Sequence, residues 1–123
     1  MKRLKKRACA SESDQPVALG RLLVSLREVG EPVFISRCVE GLAGLACRRG
    51  DYARSARLYG AAEPLREQVG AVVYLLDRVV YDRNVSTLHA QLGEAALAAL
   101  WAEGRALSLD AIMEEALAAA AER

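Results

Sequence analysis

Residues 39–62 read VEGLAGLACRRGDYARSARLYGAA, and this stretch decides the fold. Small and apolar residues recur at spacings of three and four on both sides of Gly50-Asp51-Tyr52, the period of a helix and not of a strand. Gly50 is placed to end the first helix in the left-handed conformation that glycine adopts without steric cost. Asp51 is placed to cap the second by accepting from its unpaired first amides. Two antiparallel helices packed closely through alanine and glycine follow. Gly41 and Gly44 fall inside the helical period, so GLAG reads as a site of close helix approach, at about 1 kcal/mol of propensity each, and not as a phosphate-cradling loop.

Upstream, Ser13 or Asp14 can cap an earlier helix with Pro16 in its first turn, and Leu19, Leu22, Leu23 and Leu26 give it an apolar stripe. Gly30-Glu31-Pro32 ends it. The second helix runs from about Val33 to Arg49, and the third from Asp51 to about Val69, closed by Gly70. A fourth spans roughly 72–92, with Tyr81, Val85, Leu88 and Leu92 in register and Gly93 behind it. A short fifth covers about 94–103, placing Leu97, Leu100 and Trp101 on one face, with Gly104 as its stop. Ser108 can cap a last helix striped by Leu109, Ile112, Met113, Ala116, Leu117 and Ala120. The fold expected is all-α, five to six helices in antiparallel hairpins.

Composition agrees. Alanine and leucine make up 41 of 123 residues, and both enter helices at little cost. Net charge is +1, with both signs mixed through most of the chain, so no global field points to nucleic acid or a membrane. The local exception is Lys2, Arg3, Lys5, Lys6 and Arg7. No apolar run follows them, so no signal peptide or membrane helix is expected, and a cytoplasmic protein is the default. Residues 1–15 read as a disordered basic and polar lead-in, with the helical domain at 16–123. Cys38 and Cys47 lie roughly 13 Å apart along one helix, too far to bridge, and an odd cysteine count suits a reducing compartment.

The hairpin resembles a tetratricopeptide repeat, in which small and large residues hold fixed places in two helices and Gly-Asp-Tyr is common at the turn. Val39, Leu42, Ala43 and Ala46 fall on the first-helix positions, Gly50 and Tyr52 on the turn, and Ser55, Tyr59 and Ala62 on the second-helix positions. Val39, Ala46 and Ser55 depart from the residues usual there. A longer resemblance covers about residues 17–117, carried most specifically by Leu100-Trp101-Ala102-Glu103-Gly104-Arg105 and Leu107-Ser108-Leu109. It is to the C-terminal region of large bacterial regulators, the ATPase-containing LuxR-type and AfsR-type transcriptional regulators and related adenylate-cyclase-like proteins. That resemblance implies an α-solenoid array with a closing cap, its nucleotide-binding and DNA-binding domains lying elsewhere. The chain has no Gly-x-x-x-x-Gly-Lys-Ser/Thr loop and shows no helix-turn-helix reader, so neither ATPase activity nor DNA reading is carried over.

In a repeat of this kind the first helix lines the concave face, which implies Arg37, Glu40, Cys47 and Arg48 as partner-binding residues. Arg37 and Arg48 could hold an acidic peptide or a carboxylate, or be solvated charges. Trp101 is a cap of the stack, or an anchor for a partner. His89, the single histidine, reads as a surface or boundary residue, although a Cys–His pair with Cys38 or Cys47 is conceivable. Glu63 with Glu67, and Glu114 with Glu115, read as solvated helix faces, and no catalytic residue, metal site or cofactor is expected. The basic lead-in could give weak, salt-sensitive phosphate contacts without sequence preference.

These readings converge on a non-enzymatic protein-interaction module. One clear repeat with a half before it and a cap after it would leave an open N-terminal face. Self-association, as a homodimer, or docking to another helical chain is therefore expected. A small-ligand sensor is the alternative, which a deep apolar pocket between the second and fourth helices would favour.

Overall fold

The Gly50 turn closes the hairpin in detail. Gly50 has φ +83°, and its N–H donates to the Cys47 carbonyl at 3.1 Å while the Asp51 N–H reaches the Ala46 carbonyl at 2.9 Å. Those two bonds satisfy carbonyls that a helix end leaves orphaned. Asp51 Oδ1 then accepts from the Arg54 N–H at 3.4 Å, starting the next helix. A computed structural model describes residues 17–28, 32–68, 70 and 75–121, and among them there are six helices and no strand. They are α1 (17–28), α2 (Pro32–Arg48), α3 (Tyr52–Glu67), α4 (Leu75–Leu92), α5 (Glu94–Arg105) and α6 (Leu109–Ala121). The all-α expectation holds. The lead-in at 1–15, the cap at Ser13 or Asp14, Gly30 and residues 72–74 lie outside the described residues.

Among α2 to α6, helices α2 and α3 pack on each other most extensively. Val39, Leu42, Ala43 and Ala46 on one side, and Ser55, Ala56, Tyr59 and Ala62 on the other, are all buried. Ser55, where the repeat pattern usually has alanine, donates its hydroxyl to the Ala43 carbonyl at 2.7 Å. Its extra atom therefore ties the hairpin together, and no buried hydroxyl is left unsatisfied there. Gly41 and Gly44 allow close approach as expected: a Cβ on Gly44 would sit 3.1 Å from Asn84 Nδ2, and one on Gly41 3.3 Å from Leu19.

The second large contact, α3 with α5, is the one the sequence reading missed. Helix α5 does not stop before Gly104 but runs through it to Arg105, and Gly104 is buried. A Cβ on Gly104 would lie 2.0 Å from the Arg57 carbonyl oxygen, and a Cβ on Gly60 would lie 2.3 Å from that of Trp101. Each glycine faces the other helix's backbone, so the two backbones touch. Pro64, inside α3, lacks the N–H that would bond the Gly60 carbonyl four residues back.

A single residue, Gly93 at φ +84°, joins α4 to α5. Ser108 caps α6, accepting from the Ala111 N–H at 3.2 Å, and α6 buries Ile112, Met113, Ala116, Ala119 and Ala120. The helices do not stack onward in one direction as a half-repeat, repeat and cap would. Instead α6 returns to α2 and α3, where Arg49 Nη1 donates to the Ala119 carbonyl at 3.2 Å. Gly20 on α1 faces Ala120 on α6, and Arg27 pairs with Asp110, so the first helix lies beside the last. Leu23 is fully buried and Leu19 and Leu26 pack on the core, but Leu22 is 49% exposed. It sits on the flank of the stripe, about 100° round the helix from Leu23.

The crossing gives a direct test. Gly104→Ala and Gly60→Ala should each cost about 3 kcal/mol or more, at or beyond the upper end of overpacking, because backbone and not a flexible side chain must move. Gly50→Ala, strained only by its positive φ in open space, should cost about 1–2 kcal/mol. Thermal unfolding followed by circular dichroism separates the two classes.

Candidate interaction surface

Helix α2 has two unlike faces. Inward, Cys38, Val39, Leu42, Ala43, Ala46 and Cys47 are buried. Outward, Phe34, Arg37 and Arg48 fall at spacings of three and eleven and are exposed, while Gly41 between them faces Leu19 of α1. Of the residues expected on a binding face, only Arg37 and Arg48 share this outer stripe. Cys47 is turned into the protein under α4, its Sγ 3.9 Å from the Asn84 carbonyl. Glu40 is half-buried and paired with Arg66 of α3. The correction has one cause: α4 and α3 close over the flank of α2 that a simple hairpin would leave open. Phe34, not singled out from the sequence, is 52% exposed and brings a large apolar group to the same stripe.

Three of the four acids expected to be solvated are engaged, and Glu114 is exposed as expected. Trp101 Nε1 and Arg105 Nη1 both donate to Glu63 Oε1 at 2.7 Å, and Arg105 Nη2 donates to Glu67 at 3.0 Å. Arg105 holds the Glu67 carboxyl below its ordinary pKa. Glu115 takes Arg57 at 2.7 Å, with Arg54 close by. Arg78 and Asp82 form a surface i,i+4 pair at 3.7 Å. The three carboxylates Glu63, Glu67 and Glu115 thus brace α3 against α5 and α6 from outside the core.

Trp101 is half-buried and stacks on Tyr59 at 6.1 Å between ring centroids, while Tyr81 meets both edge-on at 5.3 and 6.4 Å. Arg66 lies over the Tyr81 ring at 5.8 Å. The indole therefore joins α5 to α3 and α4, with its polar edge on Glu63. Beneath the rings, Asn84 Nδ2 donates to Tyr59 Oη at 2.9 Å. Asn84 is buried in α4 and was not anticipated, though its place between Tyr81 and Leu88 in the helical period marked it. This cluster fills the space between α2 and α4 in which a deep apolar pocket would have pointed to a small effector. An apolar cleft does lie elsewhere, bounded by Pro32, Ile35, Ala61, Leu65, Leu107 and Ile112, but it holds about 210 Å³. Small-molecule sites usually run to about 300–1,000 Å³.

Chemically, burial pushes both the Cys38 and the Cys47 thiols up, against weaker opposing pulls from Arg37 on the first and from Ser55, Arg48 and Arg83 on the second. Thiols held protonated are poor nucleophiles and poor metal ligands. His89 is exposed on α4. Among the described residues no group of three or more His, Cys, Asp or Glu is placed to hold a metal ion, and no helix is long and apolar enough to cross a membrane.

Burial pushes the Tyr59 hydroxyl up to about 12, against the lowering effect of the Asn84 hydrogen bond. The folded pKa exceeds the unfolded value, so Tyr59 keeps its contribution to stability below pH ~10 and loses it as pH rises towards the folded value, at up to about 1.4 kcal/mol per pH unit. Spectrophotometric titration should show Tyr59 ionising late, with Tyr81 also shifted up by burial, and unfolding free energy falling over the same window. A double-mutant cycle of Tyr59→Phe and Asn84→Ala should return a coupling of about 0.5–3 kcal/mol, measured by denaturant unfolding.

Similarity to known proteins is confined to part of the chain. Seventy-two residues, 58% of it, are 39% identical to proteins of Mycobacterium bovis and of two Mycobacterium tuberculosis strains that carry the name HTH-type transcriptional regulator. The matched stretch is 8% of each of those proteins. No family model matches the chain, and no solved structure does. The chain is therefore related to a small part of much longer proteins named as transcriptional regulators.

Proposed function

We propose that this chain is a non-catalytic helical interaction module of a bacterial transcriptional regulator system, working in the cytoplasm and docking a helical protein partner, a second copy included. The observation that carries the reading is the outer side of α2, where Phe34 is half exposed with Arg37 one turn away, and Arg48 lies on the same side about 21 Å along the helix. Aromatic residues and arginine are favoured at protein interfaces, where lysine and acids are depleted. The relation to part of named regulators supports the setting, and the Gly50-Asp51-Tyr52 hairpin supports the finer tetratricopeptide-like reading.

Direct DNA reading is the less supported role. Among the described segments, α5 and α6 are poor readers: α6 carries Asp110, Glu114 and Glu115 and no base, and α5 packs its Gly104 against the backbone of α3. Acids on a helix repel phosphates that a reader helix must approach. A small effector between α2 and α4 is likewise less supported, since Cys47 of α2 meets Asn84 of α4, which is itself bonded to Tyr59.

Light scattering behind a sizing column, over a range of concentrations, tests the proposal. A species above the 13.3 kDa of one chain, lost in Phe34→Asp while helicity is kept, would support self-docking through α2. A monomer throughout, with no helical protein cross-linked to the wild type in its own cells and lost in Phe34→Asp, would overturn it.

A further inference from the structure

A groove of about 640 Å³ runs between α1 and α6, on a different face from the stripe of α2. Its floor is apolar, made by Val24, Met113 and Leu117, and its rim is charged. Glu28 closes one side, Asp110 and Glu114 the other, and Arg27 is the base among them, already paired with Asp110. The rim therefore carries three acids against one base, over a strip wide enough for apolar side chains. Val24 is 45% exposed, a cost in unburied apolar surface that an occupant would relieve.

The sequence ahead of α1 has the complementary pattern. Residues 2–7 are Lys-Arg-Leu-Lys-Lys-Arg, five bases around one leucine. The acids of the same region, Glu12 and Asp14, fall in the stretch that would link it to α1. That stretch, residues 8–16, can span up to about 30 Å when extended. Val24 and Glu28 lie only about 10–17 Å along α1 from its first described residue. The basic segment therefore reaches the groove without strain, and the closure of so short a loop costs little entropy.

We propose that the α1–α6 groove is a docking surface for the chain's own residues 2–7, with Leu4 on the Val24–Met113–Leu117 floor and the bases on Glu28, Asp110 and Glu114. The seat joins the first helix to the last. It also withholds the basic segment from phosphates, so that polyanion binding and groove occupancy exclude each other.

A nitroxide on Cys9 tests this in the whole chain, with Cys38 and Cys47, both buried, replaced by serine or alanine if they label. Isotope-labelled protein, diluted in unlabelled protein so that only contacts within one molecule register, should lose amide signal at residues 24–28 and 110–117, and a Cys9→Ser control should not. Leu4→Glu, the double variant Glu28→Lys with Glu114→Lys, and salt at about 1 M, where the Debye length is about 3 Å, should each restore the signal. Signal loss elsewhere on the protein, or none at low salt, overturns the proposal. So does loss seen only when labelled and spin-labelled chains are mixed, which would give the groove to a second copy. So does loss that the charge reversal leaves untouched.

Discussion

Everything else in this structure is arranged around the contact of two helix backbones at Gly60 and Gly104. Each glycine stands where a methyl group would overlap the carbonyl of the opposing helix. Glycine in the middle of a helix costs about 1 kcal/mol against alanine, and two of them cost twice that before any contact is made. The return is proximity. With α5 drawn onto α3, Trp101 can stack on Tyr59, and its indole N–H and Arg105 can share one oxygen of Glu63. Held a side chain's width further off, neither bond would form at these lengths.

Helix α3 thus works as the spine. It meets α2 through Ser55 and Ala56, α5 through Gly60, and α6 through Arg57 and Glu115. Its net apolarity is modest, and its polar residues are spent on neighbours more than on water. Glu40–Arg66 seals the α2 side, and Asn84 satisfies the buried phenol of Tyr59. Removing one member of such a pair leaves the other desolvated and unpaired, so the polar ties fix which helix faces which more than they add to the total stability.

How far this was legible in the sequence follows from the range of each signal. The Gly50-Asp51 turn, the Gly93 break and the Ser108 cap were all visible, because a positive φ or a free amide is satisfied within a few residues. Burial of the α2–α3 seam was visible too, since it repeats with the helical period. Gly104 was misread as a terminator because a glycine near a helix end looks alike whether it stops the helix or admits a neighbour. Only the position of Arg57, 47 residues earlier in the chain, separates the two cases. Glu63, Glu67 and Glu115 looked solvated for the same reason: a carboxylate on a helix face carries no local mark of the arginine that another helix will bring. Cys47 and Glu40 were assigned to an open face on the pattern of an extended array, and the return of later helices onto α2 covered them.

The meeting of α1 and α6 has a consequence for the chain's place in larger proteins. Gly20 lies against Ala120, so the polypeptide enters and leaves this bundle at neighbouring points. Units with adjacent ends can be lodged inside a longer polypeptide, or cut and rejoined in a new order, without unthreading their interior. A circular permutant sealed across that junction and reopened at an exposed turn such as Gly50 would keep every helix pairing described above. Geometry of that kind makes the bundle portable.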